Sequence, residues 1–225
     1  MLNRWARYLP LRDLLNNADV GLVLEVGSGS LGLGEFFGKP FIGCDVSFDP
    51  KTFSGSILPV CASGTRLPFR DKTFGLVLCL DTMEHVPRKL RHPFVRELLR
   101  VASSVLILGA PMGEKAAAAD KRLHGYFQSK GLKEPSWLQE HMDLIREFPR
   151  LEEFVEMFEE ERIPYQIRWG ESAWFHRVVT ILEHKSFMGR VTGKLSRHPW
   201  RILISPFLRL MNFTSTYRTY LIAQK

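Results

Sequence analysis

The stretch Leu22-Val23-Leu24-Glu25-Val26-Gly27-Ser28-Gly29 runs an apolar segment straight into closely spaced glycines. Glycine at such a point lets the backbone turn tightly and approach a ligand where a Cβ would clash. Asp45 closes the next apolar run, Phe41–Asp45, where a carboxylate can accept hydrogen bonds from both ribose hydroxyls of a nucleotide. Many strand-to-helix turns use glycine, so the pairing with Asp45 says more than the glycines alone. Gly32 completes a Gly-x-Gly-x-x-Gly pattern, which leaves a nicotinamide enzyme and a methyltransferase both open. Glu25 favours the second: a carboxylate there repels a pyrophosphate and attracts the cationic amino group of an amino-acid ligand. The plainer alternative is that Glu25 is a solvated strand end.

Working outward, Ile57–Cys61, Phe74–Leu80 and Val105–Ala110 are further short apolar runs. Runs apolar throughout, rather than alternating, suit strands buried on both faces of a parallel sheet. Between the last two, Arg88–Ala102 carries Leu90, Phe94, Val95, Leu98 and Leu99 at helical spacing. Repeated βαβ units of this kind predict an α/β fold, a doubly wound, mostly parallel sheet with helices on both sides. Beyond Pro111, Gly113–Glu147 is helix-prone but broken at Gly125, Gly131 and Pro135. Leu151–Arg162 reads as an amphipathic helix, Tyr165–Trp169 as a strand, Ala173–Met188 as a helix and Thr219–Ala223 as a closing strand. The expected organisation is one domain: a helical segment over 1–19, a cofactor-binding half over 20–111, and a substrate-covering half over 112–225.

The 225 residues, 45% hydrophobic and 24% charged, fit one globular domain and argue against wholesale disorder. A net charge of +7 draws anions, whether nucleic acid, an acidic membrane face or a small metabolite. Cys44, Cys61 and Cys79 form no Cys-x-x-Cys pair and read as buried free thiols of a reducing compartment. With neither a signal-peptide pattern nor an apolar span, a cytoplasmic location is expected.

Leu24–Gly29, Asp45, Leu67-Pro68-Phe69 with Asp71, Phe74 and Gly75, and Asp81-Thr82-Met83-Glu84-His85-Val86-Pro87 together resemble class I S-adenosylmethionine-dependent methyltransferases. The resemblance covers Leu22–Pro111 and is greatest to the branch that includes ubiquinone and menaquinone biosynthesis enzymes. It implies S-adenosylmethionine as cofactor, with its methionine end near Glu25, Gly27, Ser28, Gly29 and Asp81, its ribose on Asp45 and its adenine against Val46. Ser63 stands where the family usually has an adenine-binding Asp, and Gly64 offers a backbone N–H. Leu31 occupies the place of the family's third glycine, with Gly32 following.

If Asp81 opens a helical turn, Glu84 and His85 share its face. His85, assisted by Glu84, is then a candidate general base. Asp81, Glu84 and His85 could instead hold a divalent metal, with His124 or His141 as a further ligand. The plainer alternative is that Glu84 and His85 only shape the loop above the cofactor. No metal was assigned from the sequence.

Trp137 and His141, and Trp169, Trp174, Phe175 and His176, are candidates either for acceptor contact or for ordinary packing. The basic, aromatic segment Arg190–Phe213 suits contact with an anionic membrane, or a helix packed on the domain with snorkelling arginines. The expected activity is methyl transfer to a small-molecule or lipid- or glycan-linked acceptor, at oxygen. An RNA methyltransferase, a non-catalytic binding module with this fold and, more remotely, a dehydrogenase are the competing readings. Nucleic acid is not the expected partner, because no RNA-binding appendage is visible.

Overall fold

The computed structural model describes residues 2–17, 21–184 and 216–225. The chain opens with helices α1 (Leu2–Tyr8) and α2 (Arg12–Asn17), then strand β1 (Val23–Val26), α3 (Gly34–Phe37), β2 (Phe41–Asp45), β3 (Ile57–Cys61) and β4 (Phe74–Leu80). It continues through α4 (Arg88–Val101), β5 (Ala102–Pro111), α5 (Gly113–Ser129), α6 (Ser136–Asp143), α7 (Leu151–Glu160), β6 (Tyr165–Trp169), α8 (Ala173–His184) and β7 (Arg218–Gln224).

The strands form one seven-stranded sheet in the order β3-β2-β1-β4-β5-β7-β6. β1 to β5 pair in parallel and β7 runs antiparallel between β5 and β6. The doubly wound α/β fold read from the apolar runs is therefore the observed one. β1 and β4 are buried almost end to end, whereas the edge strands β3 and β6 are mostly exposed or half-buried. One core packs Phe94, Val95, Leu98 and Leu99 of α4 and Phe154 and Phe158 of α7 against one sheet face; another packs Tyr8, Leu11 and Leu15 against the opposite face.

Two expectations from the sequence fail. Gly125 does not break a helix, because α5 continues through it to bury Leu123 and Phe127. A single interior glycine costs only about 1 kcal/mol, which packing of this kind offsets. Cys61 is exposed on edge strand β3, so only Cys44 and Cys79 are the buried thiols expected. Part of the Ala173–Met188 helix and all of Arg190–Phe213 lie outside the described residues. Among the described residues no helix is long and apolar enough to cross a membrane.

The topology fixes where chemistry can occur. Parallel strands β1, β2, β4 and β5 end at Val26, Asp45, Leu80 and Pro111 on one edge of the sheet. The antiparallel β7 begins at that same edge, with Arg218 registered opposite Pro111. Tyr217 and Arg218 thus join the strand-end loops from almost the far end of the chain.

Candidate active site

β1 ends in a loop that only glycine builds easily. Gly27, Gly29 and Gly32 have φ of 75°, 54° and 41°, in the left-handed region. A Cβ on Gly27 would lie 2.0 Å from Thr82 Oγ1, so the loop and the turn after β4 touch only because Gly27 has no side chain. The Gly29 N–H donates to Asp45 Oδ2 at 2.8 Å, and Val46 N–H donates to Oδ1 at 2.7 Å. Asp45 is thereby held at the lip of a cleft of about 520 Å3, within the roughly 300–1,000 Å3 range of small-molecule sites.

Gly27, Asp45, Val46, Ser63, Gly64, Asp81, Thr82 and His85 are among the residues that line this cleft. Val46 is 71% exposed, an apolar surface presented at the mouth. Ser63 Oγ lies 2.9 Å from Thr65 Oγ1, and a Cβ on Gly64 would strike the Phe94 ring. Ser28 and Gly29 shape the turn beside the cleft, and Ser28 Oγ donates to Gly29 O.

Glu25 does not line it. Its side chain sits behind the loop in a residue 1% exposed, accepting from Tyr8 O–H at 2.5 Å and from Leu33 N–H at 2.7 Å. Burial pushes its carboxyl up to about 7, opposed by the Tyr8 hydrogen bond and the charge of Arg7. Glu25 thus ties α1 and the start of α3 to β1, so its observed role is to brace the loop. It also accounts for Leu31-Gly32, since a Cβ on Gly32 would come within 2.5 Å of Glu25 Oε2.

Asp81 adopts φ 49° and opens no helical turn; a 3-10 turn at Met83–His85 follows it instead. This separates Asp81 from the cluster expected for it. Arg218 Nε and Nη2 donate to its two oxygens at 2.5 and 2.6 Å, and Arg7 Nε lies 2.8 Å away. Burial acts to raise its pKa, but Arg218 and Arg7 outweigh it and hold the carboxyl well below the usual range.

Glu84 and His85 face a second chamber of about 140 Å3, which shares Asp81 and His85 with the first cleft. Glu84 is 2% exposed; burial and then the charge of Asp81 push its carboxyl well up. Burial and then His141 push His85 down. The turn carrying both is braced by buried Arg91, whose Nε donates to Met83 O at 3.1 Å and Val86 O at 3.0 Å.

The chamber is completed by Tyr217 and Arg218, which the sequence did not mark, and by side chains of α6 and α8. His141 Nδ1 lies 2.7 Å from Asp120 Oδ2, Tyr217 O–H donates to the same carboxylate at 2.9 Å, and His176 Nδ1 lies 3.2 Å from Glu171 Oε1. Trp137, His141 and His176 do line it. His124 does not join them, being paired with Glu134 at 2.7 Å. Trp169 and Trp174 are exposed, and Phe175 is buried against Ala6 and Val179.

Residues 24–105 match a family model described as a methyltransferase domain. This segment is a methyltransferase domain. It contains β1 to β4, α4 and the Asp81–His85 turn, so the family match and the cleft coincide. An uncharacterized protein of Methanocaldococcus jannaschii is 33% identical over 105 residues, 44% of this chain and 45% of its own length. The chain's match thus spans less than half of that relative.

Solved structures extend the similarity of fold beyond the domain match. A Thermotoga maritima S-adenosylmethionine-dependent methyltransferase, described as a possible histamine N-methyltransferase, aligns with TM-score 0.60 at 13% identity, over 100% of this chain and 92% of its own. The Synechocystis magnesium protoporphyrin IX methyltransferase, solved with bound S-adenosylhomocysteine, aligns with TM-score 0.51 at 12% identity, over 99% and 86%. The Haemonchus contortus phosphoethanolamine N-methyltransferase 2, in complex with S-adenosylmethionine, aligns with TM-score 0.57 at 13% identity, over 96% and 51%. These solved structures share the fold of this chain, and two of them hold S-adenosylhomocysteine or S-adenosylmethionine. The left-handed glycine turn and the tethered carboxylate of Asp45 beside the cleft fit S-adenosylmethionine.

Proposed function

We propose that this protein is an enzyme that transfers the methyl group of S-adenosylmethionine to a hydroxyl of a small acceptor. The observation that carries this is the meeting of the two cavities at Asp81 and His85. A cofactor in the larger cleft and an acceptor in the smaller chamber would there face each other, and proximity with in-line alignment supplies much of the catalysis of a displacement. The chamber, about 140 Å3, takes only the reacting end of an acceptor, so a lipid or glycan carrier would remain outside. The Leu67-Pro68-Phe69 and Asp81–Pro87 motifs support a place in the quinone-biosynthesis-like branch.

The bound cofactor supplies a methyl carbon on a sulfonium, an electrophile whose C–S bond breaks with its electron pair left on sulfur. Asp45 would accept hydrogen bonds from the ribose, the left-handed turn through Gly27 and Gly29 would shape the backbone beside it, and Val46 would lie against the adenine. The acceptor oxygen forms the new bond to carbon, and its proton passes to Glu84 with His85 assisting. An amine can attack through its own lone pair without such a base once it is neutral. A buried carboxylate of raised proton affinity therefore favours a hydroxyl.

Incubation of the protein with methyl-labelled S-adenosylmethionine and a panel of small hydroxylated acceptors tests this. Label should appear in an ether product and depend on Glu84. Label found only on amines would overturn the hydroxyl assignment, and no transfer to any acceptor class would count against the enzyme.

A further inference from the structure

We infer that the acceptor runs on from the chamber into a second cavity against α8, where Trp137, His176 and Thr180 bind a neutral, polyhydroxylated unit of sugar type. This cavity, of about 340 Å3, is lined by Asn3, Trp137 and Thr180 among others. Asn3 and Trp137 also line the chamber, so the two spaces abut across these side chains. The chamber alone, at about 140 Å3, falls below the roughly 300–1,000 Å3 range of small-molecule sites, and the second cavity falls within it. On the methyl-transfer reading above, on which this rests, the reacting hydroxyl lies in the chamber and the body that carries it lies in the second cavity.

Two buried polar atoms lack partners along this path. His176 and Thr180 are four residues apart in α8 and so share one face of it. Thr180 is 5% exposed, and its Oγ1 has no hydrogen-bond partner among the described residues, although a helical threonine can bond the carbonyl four residues back. His176 is 3% exposed, and its Nε2 is likewise unpartnered. A polar atom so placed is costly unless a ligand satisfies it. His176 lines the chamber and Thr180 the second cavity, so one ligand spanning both spaces meets both atoms.

The chemistry of these atoms selects the group that meets them. His176 Nδ1 lies 3.2 Å from Glu171 Oε1, an acceptor that also takes a bond from Arg218 Nη1. The ring proton therefore sits on Nδ1, and Nε2 offers a lone pair. Asp120 Oδ1, 3.9 Å from Nε2, already accepts from Tyr217 O–H and has no proton to give. Nε2 thus needs a donor, whereas Thr180 Oγ1 can donate or accept. Hydroxyls serve both, and a pair set roughly 5–6 Å apart, the spacing of side chains one helical turn apart, reaches both.

Trp137 adds an apolar surface beside them, its ring edge-on to His176 with centroids 5.6 Å apart. An indole next to hydrogen-bonding groups suits a ring that is apolar on its C–H face and polar at its rim. The charged residues of the cavity are of both signs, Lys133 with Glu134 and Glu183, which favours a neutral ligand over a strongly anionic one.

The test is saturation-transfer NMR on the full chain with S-adenosylhomocysteine present, against a panel of neutral monosaccharides and their methyl glycosides at millimolar concentration. At least one should bind, with saturation strongest on the C–H protons of one ring face. Thr180→Val and Trp137→Ala should each weaken that binding at least tenfold, while S-adenosylhomocysteine affinity stays within about twofold of wild type and reports a folded chain. Thr180→Val should also raise the thermal midpoint of the ligand-free protein, because it removes a buried hydroxyl that the free chain leaves unsatisfied. A fall in that midpoint would show the hydroxyl already satisfied and overturns its role. Failure of every panel member to bind, or binding that a folded Thr180→Val/Trp137→Ala double variant retains, overturns the site. Either result with S-adenosylhomocysteine still bound leaves the methyl-transfer reading standing, whereas wild type that binds no S-adenosylhomocysteine counts against that reading instead.

Discussion

Arg218 binds Asp81 through two hydrogen bonds, 2.5 and 2.6 Å long, between residues 137 apart in the chain. The antiparallel turn of β7 makes this possible by returning the chain to the edge where β4 ends. Both side chains are largely removed from solvent, and Glu171 Oε1 takes a further bond from Arg218 Nη1 at 2.6 Å. Asp81→Asn would leave two arginines facing too little negative charge. Equilibrium denaturation in urea should show a loss of about 3–5 kcal/mol, the usual result of removing one partner from a buried pair. A loss below about 1 kcal/mol would mean that the pair is solvated in solution.

Asp45 should matter to the ligand more than to the fold. Asp45→Ala removes the expected ribose contacts and the Gly29 tether, so S-adenosylhomocysteine affinity should fall by about 1–3 kcal/mol in calorimetry. Unchanged affinity would refute the ribose assignment.

Glu25 gives a pH signature. Its folded pKa, about 7, exceeds the ordinary value of 4.5, so the folded state holds more protons than the unfolded chain between those limits. The stabilising contribution is complete below about pH 4.5 and is lost as pH rises to about 7. Against a Glu25→Gln reference, wild type should lose up to about 3 kcal/mol across that window, the linkage value of such a shift. Paired urea titrations from pH 5 to 8 measure the difference, and a flat difference would show that Glu25 titrates normally.

Glu84 and His85 should separate in turnover. Glu84→Gln should lower kcat by about 10²- to 10⁴-fold, the range typical of a lost general base, and should flatten the rise of rate with pH. That rise is expected because Glu84 loses its proton only well above the usual carboxylate range. His85→Asn, assisting rather than accepting, should cost less. The opposite ranking would return the base role to His85.

Much of the fold was legible because buried parallel strands are written as uninterrupted apolar runs. Phe41–Asp45 and Phe74–Leu80 were read at their observed ends. The cleft was legible too, since Gly27, Asp45 and Asp81 sit at strand ends whose spacing is local. What escaped was assembled over long range. Nothing in Tyr8 or Arg7 announces that α1 reaches Glu25 and Asp81, and nothing in Arg218 announces that β7 runs antiparallel. Glu25 shows the same limit: an acid before glycines suggests a ligand contact, and only tertiary packing reveals that Tyr8 and Leu33 already engage it. Nor does the sequence show that α6 packs His141 beside Glu84 and His85 while His124 pairs with Glu134.

The account stands most directly on whether the glycine-cradled cleft binds the methyl donor. Isothermal calorimetry of the folded full chain with S-adenosylhomocysteine should show saturable binding at one site, abolished by Gly27→Ala, whose Cβ would collide with Thr82. A folded wild-type protein that binds no S-adenosylhomocysteine at millimolar concentration would contradict it.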